Sequence, residues 1–255
     1  MLRSAQPGTL TTARDAGSYP LVPFSNRVGH ASLQWNGTSH PLVRNFGAEP
    51  HAIHGVGWQR AWTVLEADTA FALLSYEHKP DAYWPFAFDT SQAFRLTPEG
   101  LELSLSITNQ SDKPVPVGMG WHPFFIKRPG GRIDFDATGR WEMGPEKLPT
   151  HRLASQGIHA PCASLDVDHC YDGWNGTVQL HDDVLDVRLT SGLSRLVVFT
   201  NATREFVAVE PVSHVNNAIN MVSTMGLSAA DLGLHVLQPA ESMSCSMGIF
   251  ARRAA

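Results

Sequence analysis

In Leu101-Glu102-Leu103-Ser104-Leu105-Ser106-Ile107-Thr108, apolar and polar residues alternate without a break. A period of two marks a half-buried strand, because successive side chains point to opposite faces of a sheet. A chain that repeats this pattern must cover one face of each sheet with another layer. Further strands are expected at 31–35, 61–66, 71–77, 92–97, 132–135, 177–180, 185–189, 195–200, 205–210, 234–237 and 243–251. Turn signals punctuate them at Asn36-Gly37, Pro98-Glu99-Gly100, Gly130-Gly131 and Asn175-Gly176. Only 217–225 and 229–234 offer short helices. The pattern implies an all-β chain built as a sandwich or barrel. No repeat, linker or low-complexity tract divides it, so residues 1–255 are expected to form one domain.

The charge balance narrows the partners. A formal charge of -5 and the lack of any Lys/Arg-rich block argue against nucleic acid or an anionic membrane surface. Runs such as Leu196-Val197-Val198-Phe199 are far too short to cross a bilayer, and the first residues lack the apolar core of a signal peptide. Cys162, Cys170 and Cys245 are odd in number, without metal-type spacing, and are expected to be free thiols in a reducing cytoplasm.

Two segments share a design suited to chemistry. In Val117-Gly118-Met119-Gly120-Trp121-His122-Pro123 a histidine ends an apparent strand, and proline restrains the backbone of its predecessor. Alternation sets Gly118, Gly120 and His122 on one face, which leaves room there for something other than protein. In Glu205-Phe206-Val207-Ala208-Val209-Glu210-Pro211 a glutamate stands in the same position before a proline. Each also has a bland reading, His122 as a partly buried ring bonded to a neighbour and Glu210 as a solvated strand end. A histidine and a carboxylate facing one cavity suit proton transfer in both directions.

Other segments carry polar and aromatic residues of a sugar-binding kind. They are Asn26-Arg27, His54 with its flanking glycines and Trp58, and Asp168-His169-Cys170-Tyr171. The arginine fork can donate to adjacent hydroxyls, and Trp58, Trp84, Phe124, Tyr171 and Trp174 can stack on a pyranose. The spacing His51-x-x-His54 invites a metal reading completed by His122 and Glu210. It lacks the context of a metal motif, and no metal is expected.

Taken in order, Tyr19 through Arg27, His54-Gly55, Trp84-Pro85-Phe86, Gly100 through Leu103 with Asn109, Gly120 through Phe125, Asp168 through Tyr171 and Val209-Glu210-Pro211 resemble the aldose 1-epimerases, or galactose mutarotases. The resemblance runs from about Tyr19 onward. It implies a large antiparallel β-sandwich with few short helices, an open carbohydrate cleft and no cofactor. It assigns a general acid to His122 and a general base to Glu210, with Arg27, His54 and Asp168 binding hydroxyls. From their own chemistry and position, Asn26, Trp58 and Tyr171 are also expected to contact the sugar. The expected activity interconverts α and β anomers of a hexose such as galactose or glucose, by a monomer or homodimer. The family has several strands before the Asn-Arg segment, where only about two dozen residues stand here, which leaves either a start upstream or an exposed sheet edge. Alternatives are a hexose-6-phosphate 1-epimerase, with Arg60, Arg195 and Arg204 as candidate cations, a non-catalytic carbohydrate-binding module, and a glycosidase using Asp168 and Glu210.

Overall fold

The computed structural model describes residues 1–5 and 8–254. Two large sheets dominate, and every pairing within them is antiparallel. The first runs Pro20–Leu21, Gly120–Trp121, Phe206–Val212, Arg195–Thr200, Val167–Asp172, Gly139–Met143, Pro149–Ala154, with Phe124–Ile126 also pairing on Phe206–Val212. The second runs Ile158–Pro161, Arg132–Phe135, Thr177–His181, Leu185–Ser191, Ser242–Arg253, Gly100–Asn109, Phe88–Thr97, Phe71–His78, Thr63–Ala67. Their inner faces share one continuous apolar core, and the result is the large antiparallel β-sandwich that the resemblance implies.

The alternating segment does what its period dictates. Within Gly100–Asn109, Leu103, Leu105 and Ile107 are buried while Glu102 and Ser104 face solvent. Each such aliphatic side chain contributes about 1.5–3 kcal/mol when fully buried. The helices are Ala218–Met225 and Ala229–Leu232, close to the expected pair. The sheet edge beside Phe124–Ile126 is covered from the N-terminus. The Arg3 N–H donates to the Phe124 carbonyl at 2.7 Å, the Ile126 N–H donates to the Met1 carbonyl at 3.0 Å, and Leu2 bridges Phe125.

One expectation about the glycines is overturned. A Cβ on Gly118 would lie 1.8 Å from Cδ2 of His214, and one on Gly120 would lie 2.3 Å from the carbonyl oxygen of Pro211. Protein fills the space that the missing side chains leave. These glycines permit close packing of neighbouring segments and open no room for a ligand.

Candidate active site

Gly120 pairs with Val212 and Phe124 with Ala208, both on the strand Phe206–Val212. That register puts His122 opposite Glu210, at the break between Gly120–Trp121 and Phe124–Ile126. Directly opposed residues of an antiparallel pair have Cβ atoms about 4.5–5.5 Å apart. The side chains therefore meet, with Nε2 of His122 3.1 Å from Oε1 of Glu210. Glu210 is only 2% exposed and its strand continues through Pro211, so it is no solvated strand end. Its Oε2 is buried without a hydrogen-bond partner among the described residues.

Burial opposes charge on both partners. It lowers His122 to about 3, and together with the charge of Asp168 it holds Glu210 well above the usual carboxyl range, against the pull of Arg27. The state consistent with both directions is a pair holding one proton between them. Neutral imidazole facing a carboxylic acid and imidazolium facing a carboxylate are two forms of that pair, each with zero net charge.

His54 enters from the short ladder formed by Arg27–Val28 and Ala52–Ile53. Its Nδ1 accepts the Asn26 N–H at 3.0 Å, while its own N–H donates to the Asn26 carbonyl at 2.8 Å. Both residues take positive φ, 53° at Asn26 and 61° at His54, which asparagine and histidine tolerate better than most side chains. With Nδ1 engaged as an acceptor, the ring hydrogen sits on Nε2. Burial, reinforced by His122, Arg27 and Arg14, lowers its pKa well below the usual value, so His54 stays a neutral donor.

Arg27 is fixed by its neighbours. Oδ1 of Asn26 accepts from Nη1 at 3.2 Å, Glu49 takes Nη2 at 3.2 Å, and Asp168 lies 3.9 Å from Nη1. Asn217 steadies the turn beyond it, its Oδ1 accepting the Gly29 N–H at 2.9 Å and its N–H donating to the Arg27 carbonyl at 2.9 Å. Asn26, Arg27, His54, His122, Asp168 and Glu210 all line one cavity of about 360 Å³, a volume that takes a monosaccharide.

Two expected sugar-binding residues lie elsewhere. Tyr171 sits three residues from Asp168 on one strand, an odd offset that turns it to the opposite face. It is 2% exposed and packs edge-on against Phe135 at 5.0 Å. Trp58 stands behind Tyr19, with ring centroids 5.6 Å apart, and its indole N–H donates to the Ile53 carbonyl at 3.3 Å. Tyr19, Phe46 and Phe124 supply the cavity's aromatic surface near the imidazoles, with Phe124 4.3 Å from the His122 ring. Of the cations considered for a phosphate, Arg204 lines the cavity. Arg60 pairs with Asp81 at 2.8 Å, and Arg195 is spent on the carbonyls of Ser213 and Asp231.

His54, His122 and Glu210 offer ligand atoms within 4.8 Å of one another, a set that on composition alone could hold a metal ion. The hydrogen bonding of His54 argues against this. A metal at Nε2 would displace the ring hydrogen while Nδ1 still accepts from Asn26, and that requires an imidazolate; histidine ligands ordinarily donate from the second nitrogen. His51 belongs to another group, its Nδ1 accepting the His30 N–H at 2.9 Å.

The fold and site define a class of protein: a β-sandwich with an acid–base cleft, in which a histidine–carboxylate pair shares one cavity with Asn26, Arg27, His54 and Asp168. Residues 9–223 match the family model for aldose 1-epimerase, and the chain belongs to that family. It is 36% identical over 176 residues to the uncharacterized protein YphB of Escherichia coli strain K12, covering 66% of this chain and 59% of YphB. It is 24% identical over 217 residues to the uncharacterized protein YihR of the same strain, covering 78% of this chain and 70% of YihR. The chain thus spans less than two thirds of the length of YphB. Among solved structures, a provisionally assigned aldose 1-epimerase from E. coli K12 superimposes with a TM-score of 0.85 at 27% identity, covering 98% of this chain and 88% of that one. A galactose mutarotase-like protein from Clostridium acetobutylicum gives 0.82 at 20% identity, covering 99% and 86%, and shares the fold. Among the described residues, no helix is long and apolar enough to cross a membrane.

Proposed function

We propose that this protein is a cofactor-independent aldose 1-epimerase that interconverts the α and β anomers of a hexopyranose with a galactose- or glucose-type ring. The observation that carries this reading is the buried His122–Glu210 pair, 3.1 Å apart, at the wall of a sugar-sized cleft.

With the sugar between them, Glu210 as carboxylate takes the proton of the anomeric hydroxyl while His122 as imidazolium protonates the ring oxygen. The C1–O5 bond breaks and C1 becomes an aldehyde. The pair is left as carboxylic acid and neutral imidazole, the other form of the same one-proton state. Rotation about C1–C2 turns the other face of the aldehyde to the C5 hydroxyl. Reclosure returns the proton from the hydroxyl to His122 and gives the Glu210 proton to O1. Protons balance over the cycle without exchange with solvent. The Nε2–H of His54, Arg27 and Asp168 hold the sugar in place by hydrogen bonds to its oxygens.

His122→Gln and Glu210→Gln are each expected to lower anomer exchange about a hundredfold or more, measured by polarimetry or exchange NMR on glucose and galactose. Either variant at wild-type rate would remove the assigned role. A binding module has no use for a proton-sharing pair, which favours the catalytic reading over sugar binding alone.

A further inference from the structure

The protein carries a net charge of -5, yet its cleft is cationic. Arg3, Arg14, Arg27, Lys147 and Arg204 line the cavity, against the carboxylates of Glu49, Asp168 and Glu210. Two of the five cations are matched by these acids. Arg27 lies between Glu49 and Asp168, and Lys147 is 3.7 Å from Glu49. For Arg3, Arg14 and Arg204, no carboxylate lies within 4 Å among the described residues.

These three are held by aromatic rings. The Arg3 guanidinium lies 3.9 Å from the centroid of Phe124 and 5.3 Å from that of Phe206. Arg204 stands 5.8 Å from both Phe206 and Phe199, and Arg14 stacks 4.0 Å from Phe46. A guanidinium held by its face keeps its in-plane N–H donors for another partner. Arg3 spends Nη2 on the carbonyls of Arg14 and Ala16, and its buried Nε has no acceptor among the described residues. Phe124 carries Arg3 on one contact and His122 on another, so this cationic rim borders the proposed reacting centre. Arg14 and Arg204 are exposed and Arg3 is half-buried, so they form a positive rim at the mouth of a concave site. A neutral hexose would leave that rim without an anionic partner, and such a rim concentrates anions.

We propose that the hexose this cleft takes carries an anionic group remote from C1, a phosphate or a carboxylate, bound by Arg3, Arg14 and Arg204. The proposal rests on the mutarotase reading and narrows its substrate class. The guanidinium fork matches both oxyanions in the same bidentate geometry.

The test is anomer exchange by wild-type protein on glucose, galactose, glucose 6-phosphate and glucuronate, at low and high sodium chloride. The expected result is a kcat/KM at least tenfold higher for one or both anionic sugars than for glucose, with the advantage shrinking as salt rises. The two anionic arms separate phosphate from carboxylate. In Arg14→Gln and Arg204→Gln the anionic-to-neutral ratio should collapse toward one, mainly through KM. Equal or faster exchange of neutral sugars by the wild type, insensitive to salt, would overturn the anionic substrate while leaving the mutarotase reading intact. Exchange of no aldose of either charge would overturn both.

Discussion

Asn26 and His54 hold each other by two reciprocal hydrogen bonds, the Asn26 N–H to the ring Nδ1 at 3.0 Å and the His54 N–H to the Asn26 carbonyl at 2.8 Å. The first of these fixes the tautomer, and with it the direction in which His54 can donate. Structure and chemistry can therefore be separated at one residue. Asparagine at position 54 keeps an acceptor near Nδ1 and loses the Nε2–H. His54→Asn is expected to lower kcat/KM about ten- to a hundredfold, the cost of one donor to the substrate, with a melting temperature close to wild type. His54→Ala should lose activity and stability together. A His54→Asn protein as fast as wild type would show that the sugar does not use this donor.

Acid should loosen the molecule through His214. Its Nδ1–H donates to the Val215 carbonyl at 2.7 Å and its Nε2 accepts the Ser25 N–H at 3.1 Å, an arrangement open only to neutral imidazole. Burial lowers it to about 4, whereas an unfolded histidine titrates near 6.5. Between those values the unfolded chain binds a proton that the folded one refuses. Stability from this residue is complete above about pH 6.5 and is lost as pH falls toward 4. His54 shifts in the same direction. The His122–Glu210 pair adds little slope, since it holds one proton in both states across this range. The urea midpoint should be lower at pH 5 than at pH 6.5, and the difference should narrow in His214→Gln. Equal wild-type midpoints would refute the assignment.

Metal removal should not matter. Because His54 cannot give up its Nε2 hydrogen while accepting from Asn26, dialysis against a chelator is expected to leave anomer exchange unchanged. Loss of activity on chelation, restored by zinc, would show that His54, His122 and Glu210 bind an ion after all.

Strands with one wet face were legible because alternation encodes burial directly. Arg132–Phe135 and Arg195–Thr200 have the expected bounds, and most others differ by a few residues at an end. Gly139–Met143, Pro149–Ala154 and Val167–Asp172 were missed for physical reasons. Pro149–Ala154 is an edge strand exposed along nearly all its length, and in Val167–Asp172 Asp168 lines the cavity while Asp172 is buried against Arg152 and Trp141, so neither shows an apolar period of two. At the site, His122 and Glu210 stood out singly, each before a proline. Their partnership depended on a register between residues 88 positions apart, which a local pattern does not contain. Arg3 and Arg14 had no local signal: the pairing of residues 1–3 with Phe124–Ile126 brings Arg3 to the cleft, and the Arg14 carbonyl accepts from the Arg3 guanidinium there. Asp168 and Tyr171 shared a motif in sequence but not a face in space.

The contact of Gly118 with His214 reaches further than packing. A methyl group at position 118 would push against the ring that accepts the Ser25 N–H, and Ser25 is followed directly by Asn26 and Arg27. Gly118 also donates its own N–H to the Pro23 carbonyl at 2.7 Å, tying it to the same segment from the other side. The hydrogen atom that serves as its side chain thus acts as a spacer. It sets how far the Asn26–Arg27 arm stands from the sheet bearing Glu210, and so how wide the cleft opens.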